Sequence, residues 1–339
     1  MARGSWGLAL AWATAACVSV APPVPPPAPD FGAAAHVEPA PAPQAAEGFG
    51  EIVACGQRFP IAAPVVPWID PDGYSAYSTA ARFPDEVDPA TAAPTGLRYR
   101  PGRETPDGTV TRRSSVAELA EVVDQFVLHY DACGLSRTCF KVLHDRRELS
   151  VHFLLDVDGT IYQTLDLADT AWHARQANPR SIGVEIANVG AHPPGASSPL
   201  DEWYVRDAAG VRLRLPARFG DGDVRTPGFV GRPAREARIA GTINGRRLEM
   251  FDLTPEQYAS LEALTAGLCE LFPRIRPDAP RDATGAVRRD ALDAAEFARF
   301  HGILGHFHVS ADKSDPGPAF DWERLLRGVR ARLHARPRP

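Results

Sequence analysis

Ten histidines are spread along this chain of 339 residues, and five of them, His129, His152, His173, His306 and His308, stand where they can do chemistry. Alternation sorts them. In Phe126-Val127-Leu128-His129, a strand sends Phe126 and Leu128 to one face and Val127 and His129 to the other, and His129 ends the apolar run. In Ser181-Ile182-Gly183-Val184-Glu185-Ile186, the aliphatic residues share a face and Glu185 points the opposite way. A carboxylate between aliphatic neighbours in a buried strand is costly unless it is paired or metal-linked. The segment Gly305–Pro318 then sets a His, a Lys and an Asp on an irregular loop stiffened by proline, with His306 and His308 as rivals on one strand face.

Two imidazoles and one carboxylate make a tetrahedral zinc site whose fourth position is open to water. Zinc lowers the pKa of that water to about 7. A nearby Glu takes the water's proton, and a Lys steadies an oxyanion. These parts suit hydrolysis of an amide. The chain contains only two lysines, Lys141 and Lys313, against 35 arginines, so the compact ammonium of Lys313 stands out.

The elements that must position these groups follow from local pattern. Ser115–Gln125 has helical periodicity and leads into the strand ending at His129. Ser136 reads as the cap of a helix running to about Arg147, with His144 on its solvated side. Val151–Asp156, the turn Asp158-Gly159 and Thr160–Gln163 read as a hairpin, and Ser181–Asn188 as a further strand. Thr254-Pro255-Glu256-Gln257 opens a helix reaching about Phe272. A strand is expected near Ile303–His308, and a last helix from Asp321. The fold class is α/β: a mixed, partly antiparallel central sheet flanked by helices, in a single catalytic domain with a β-rich insertion at about 199–250. The insertion carries the hairpin signal Asn244-Gly245.

Composition bounds the setting. With 37 basic and 42 acidic residues the net charge is −5, which offers no footprint for nucleic acid. Residues 1–16 carry Arg3 and then an apolar run from Trp6 to Ala16, too short to span a bilayer as a helix and suited to a secretory signal. Ala15-Ala16-Cys17 looks like a bacterial lipobox, which makes Cys17 the expected lipidation site and an anchor there the only membrane contact. Residues 17–47 are a Pro/Ala-rich tether, 48–110 a segment wrapping the main body, and 111–335 the main domain. The expected location is periplasmic, at the outer membrane. Export places Cys55, Cys133, Cys139 and Cys269 in an oxidising compartment.

The ordered motifs FVLHY, LSVHFLLDVDGTIYQTLD, AWHA, NPRSIGVEIAN and GHFHVSADKSDPGPAFDW resemble the zinc-dependent N-acetylmuramoyl-L-alanine amidases of the amidase type 2 family, to which peptidoglycan recognition proteins are related. The likeness covers roughly residues 120–200 and 295–330. It implies His129, His306 and Asp315 as ligands of one Zn2+, with Glu185 and Lys313 as catalytic residues, and it favours His306 over His308. It implies peptidoglycan or its muropeptide fragments as substrate, cut between N-acetylmuramic acid and L-alanine. The chain departs from the family at Asp131, where HHT or HYT is usual, and at Arg175, where the motif reads AWHAG. Val151 combined with Glu185 resembles the branch that uses Glu as base, yet the Cys133–Cys139 spacing matches the disulfide of the recognition proteins. The alternatives are a non-catalytic peptidoglycan-binding module of the same fold and a zinc hydrolase of other amides.

Overall fold

The computed structural model describes residues 50–86, 96–105, 107–195 and 198–335. The expected signal sequence, Cys17 and the tether lie outside the described residues.

Six strands form the central sheet: β1 (Val65–Pro67), β2 (Gln125–Tyr130), β3 (Phe153–Leu155), β4 (Ile161–Gln163), β5 (Ser181–Ile186) and β6 (Gly302–Gly305). Their order is β6-β2-β5-β3-β4-β1. The β3–β4 pair is antiparallel and every other pair is parallel, so the sheet is mixed. β2 and β5 run through its middle and are buried almost throughout, their polar members included.

One face buries Phe126, Leu128, Ile182, Val184 and Ile186 in the main core, together with Leu261, Leu264 and Leu268 of helix α1 (Pro255–Leu271). That helix starts as its sequence dictates: Thr254 accepts the N–H of Gln257, and the Gln257 side chain accepts the N–H of Thr254. The last helix, Trp322–Ala335, adds Leu325, Leu326 and Val329 to the same core. On the other face Val127 and Leu304 pack with Ala174 and Ala177.

The segment before β2 does more than cover the surface. β1 is the edge strand beside β4, Tyr99–Arg100 pairs with Thr170–Ala171, and the Arg103 side chain is driven wholly inside. Within 199–250, hairpins form at Tyr204–Asp207 with Gly210–Leu213 and at Ile239–Ile243 with Arg246–Met250. The second turns through Asn244 and Gly245 at φ of 47° and 74°, the two positive values a type I′ turn requires. Among the described residues no helix is long and apolar enough to cross a membrane.

Three local expectations are corrected. Ser136 is not a cap: the short helix Ser136–Phe140 is preceded by Leu135 and passes into a wider-wound turn over Lys141–Arg146. His144 is not solvated but buried, 2.6 Å from Asp145 Oδ1 through Nδ1 and 2.9 Å from the Ser78 carbonyl through Nε2, because the chain near residues 78–83 folds over it. The run Ile303–His308 is a strand only to Gly305, and His306–Val309 is a helical turn.

Candidate metal and catalytic site

The site lies at the carboxyl ends of β6, β2 and β5, where parallel sheets open clefts. Register does the first part of the work: β2 and β5 pair so that Glu185 stands directly beside His129. β6 lies parallel on the other flank of β2, and His306 follows its last residue. Asp315 returns on the loop beyond, tied by its carbonyl to the N–H of Phe307 at 3.1 Å.

His129 Nδ1 and His306 Nδ1 both approach Asp315 Oδ2, at 2.8 and 2.9 Å. One ligand atom from each of His129, His306 and Asp315 lies within 4.8 Å of the others, and all three residues are buried. Glu185 Oε1 is 4.0 Å from His129 Nδ1. Two imidazoles and a carboxylate converging in this way are a donor set that fits a divalent metal ion. Burial and then the neighbouring His306 push His129 down to about 4, so its ring is neutral near pH 7, as a ligand must be.

The carboxylates are driven apart. Burial works against ionisation of Asp315, but hydrogen bonds from His129 and His306 outweigh it and hold Asp315 below the usual carboxylate range. Glu185 is shifted well upward, first by burial and then by Asp315 and Asp131, while Lys313 opposes the shift. An anion and a proton acceptor of raised affinity therefore share one cleft. The charge of Lys313 acts on Glu185 and on His129, and no group among the described residues accepts a hydrogen bond from its Nζ.

The helical turn at 306–309 separates the two candidate histidines, because residues two apart on a helix point about 200° from each other. His308 Nδ1 accepts the N–H of Gly305 at 2.9 Å, and Nε2 donates to the Arg288 carbonyl at 2.9 Å. It is a satisfied core histidine. His152 is another: its Nδ1 accepts the N–H of Gly183 at 3.1 Å, and Nε2 lies 3.2 Å from the Asp169 carbonyl and 3.0 Å from buried Arg103. Tyr162 lies in the core against Tyr74. Cys133 and Cys139 stand as free thiols, with no bond joining the sulfurs.

Two residues near the site carry more than their sequence signals conveyed. Asn244, readable only as a turn former, donates Nδ2 to the carbonyls of Phe307 at 3.1 Å and Lys313 at 2.9 Å, and so holds the loop that bears Lys313 and Asp315. Arg175, where the amidase motif has glycine, takes φ of 50° and reaches Ser310 Oγ and Asp312 Oδ2, each at 3.1 Å. Tyr130 steadies the same loop through Ser314 Oγ at 2.6 Å.

Residues 119–225 match the sequence model of the family described as N-acetylmuramoyl-L-alanine amidase. The match includes His129 and Glu185 but stops before His306, Lys313 and Asp315, which reach the site through the fold. No curated protein matches the chain at a significant level. Among solved structures, a selenomethionine derivative of AmpD is similar at 19% identity over 62% of this chain and 86% of that one, with a TM-score of 0.31. A complex of the N-acetylmuramyl-L-alanine amidase AmiD from E. coli with the substrate anhydro-N-acetylmuramic acid-L-Ala-D-gamma-Glu-L-Lys is similar at 19% identity over 67% and 65%, with a TM-score of 0.34. The endolysin amidase LysCS from Clostridium intestinale is similar at 14% identity over 64% and 88%, with a TM-score of 0.30. Residues 119–225 thus carry the sequence signature of the amidase type 2 family.

Proposed function

We propose that the protein is a zinc-dependent N-acetylmuramoyl-L-alanine amidase that cuts the amide between N-acetylmuramic acid and L-alanine in peptidoglycan or its fragments. The observation that carries this reading is the convergence of His129, His306 and Asp315 beside Glu185, two of the four, His129 and Glu185, lying in the segment that matches this family. His129, His306 and Asp315 hold the metal. Bound zinc supplies Lewis acidity and a water whose pKa is lowered to about 7. Glu185 accepts the proton of the attacking water and returns it to the leaving amine of L-alanine, work to which a carboxyl of raised proton affinity is suited. Lys313 offsets the negative charge that grows on the carbonyl oxygen.

The protein is exported and lipidated at Cys17 in this reading, which brings the domain to the wall. Incubation with purified sacculi, followed by mass analysis, tests the activity. Free stem peptides are the expected product. Intact muropeptides left by fully zinc-loaded protein would overturn the reading in favour of a non-catalytic binding module.

A further inference from the structure

Behind His129 lies a chain of groups that the chemistry above does not use. His129 Nε2 is 3.0 Å from His173 Nδ1, and His173 Nε2 is 3.2 Å from Ser181 Oγ. The two rings meet nearly edge to face, at 80°. β5 makes room for this arrangement. Ser181, Gly183 and Glu185 project from one face of that strand, and a Cβ at position 183 would stand 2.4 Å from His173 Nδ1. Glycine therefore opens the slot into which the imidazole fits, between a hydroxyl on one side and His129 on the other. The backbone carrying His173 is held separately: Asn178 Oδ1 accepts the N–H of His173 at 3.2 Å and that of Ala174 at 2.7 Å.

We infer that His173 and Ser181 are positioning residues which set the tautomer of His129 and let it reverse. The inference rests on the reading of His129 as a metal ligand. With Asp315 alone before it, His129 carries its proton on Nδ1 and donates to Oδ2 at 2.8 Å. Nε2 then accepts from His173 Nδ1–H, and His173 Nε2 accepts from the Ser181 hydroxyl. To act as a ligand through Nδ1, His129 must carry its proton on Nε2 instead. It then donates to His173 Nδ1, and His173 Nε2–H donates to Ser181 Oγ. Each imidazole keeps one proton in both arrangements: the proton leaving His129 Nδ1 is released to solvent as the metal enters, His173 Nδ1 gives its proton to His129 Nε2, and His173 Nε2 takes one from solvent, so no net charge is created in the buried site. The hydroxyl only rotates. A serine can end such a chain because its oxygen both donates and accepts, whereas a carboxylate or a carbonyl would serve one polarity alone. Orientation of a ligating imidazole through its second nitrogen is a general device of metal sites.

Zinc affinity, read by competition with a chromogenic chelator, and the visible spectrum of cobalt-loaded protein test this in wild type, Ser181→Ala, Ser181→Thr and Gly183→Ala, with His306→Ala as control. Wild type is expected to take up one equivalent of metal and His306→Ala none. Ser181→Ala and Gly183→Ala should bind about 10- to 100-fold more weakly, the range for lost partners of metal ligands, with an altered cobalt spectrum. Ser181→Thr, which keeps the hydroxyl, should restore both the affinity and the spectrum. Wild-type affinity and spectrum in Ser181→Ala would overturn the inference, as would equal weakness in Ser181→Thr, which would make the effect one of packing. Failure of wild type to bind metal would instead bring down the reading of the site, and the inference with it.

Discussion

Asn244 Nδ2 donates to the Lys313 carbonyl at 2.9 Å, so the tip of a hairpin in the 199–250 segment holds the loop that carries Lys313 and Asp315. The same amide donates to the Phe307 carbonyl, and its oxygen accepts the N–H of Ala291. Asn244→Gly keeps a residue suited to the positive φ of the turn and removes only these ties. Two or three neutral hydrogen bonds at about 0.5–1.5 kcal/mol each predict a loss of roughly 1–4 kcal/mol in unfolding free energy. Loosening of the loop should also weaken metal uptake. Urea unfolding and chelator competition check both; a variant as stable and as metal-avid as wild type would mean the segment does not support the site.

Glu185→Gln removes the proton acceptor while keeping size and hydrogen bonding. Loss of general acid–base catalysis predicts a fall in turnover of about 10²- to 10⁴-fold at unchanged metal content. Metal analysis alongside a stem-peptide release assay separates the two effects. Activity surviving at full metal loading would show that another group takes the proton.

Buried Asp156 gives a pH dependence of stability. Burial pushes its carboxyl up to about 8, against an opposing hydrogen bond from the Val157 N–H at 2.8 Å. The folded protein therefore holds this proton where the unfolded chain, ionising near an ordinary carboxylate value, has released it. By linkage its contribution is fully present below about pH 4 and is lost as pH rises through about 8. With chelator present, the urea midpoint of Asp156→Asn should decline less between pH 5 and pH 8 than that of wild type. Parallel curves would place the ionised carboxylate comfortably in the fold.

Cys133 and Cys139, free thiols here, become a disulfide in an oxidising compartment if the likeness to recognition proteins extends to them. Non-reducing peptide mapping of exported protein should find their peptides linked. Two free peptides would exclude the bond.

What the sequence discloses here depends on how local its cause is. Thr254 with Gln257 and Asn244 with Gly245 carry their geometry in a few adjacent residues, and both form the cap and the turn those residues specify. Glu185 was legible because alternation isolates a carboxylate among aliphatic neighbours. The choice between His306 and His308 was not, since alternation in Gly305-His306-Phe307-His308 suits a strand. The run turns helical where the Ser310 N–H bonds the His306 carbonyl, flanked by the Gly305 N–H bonded to His308 and the Phe307 N–H bonded to Asp315. The sequence around His144 suggests a solvated side chain for the same reason: its partner, the Ser78 carbonyl, is 66 residues away.

Arg175 allows backbone and side chain to be separated. Its φ of 50° costs a non-glycine residue on the order of 1 kcal/mol. Its bonds to Ser310 and Asp312 are solvent-exposed and contribute little to stability. Arg175→Gly relieves the backbone and loses the bonds, so its thermal midpoint should match or exceed that of wild type. Arg175→Ala keeps the strain and loses the bonds, and should melt about 2–4 °C below Arg175→Gly, the shift that about 1 kcal/mol produces in a domain of this size. Both lack the link between Arg175 and the loop bearing Lys313, so a role for that link in catalysis should lower turnover equally in the two variants. If Arg175→Gly instead melts well below wild type, the exposed bonds outweigh the left-handed backbone and Arg175 is a stabilising clamp.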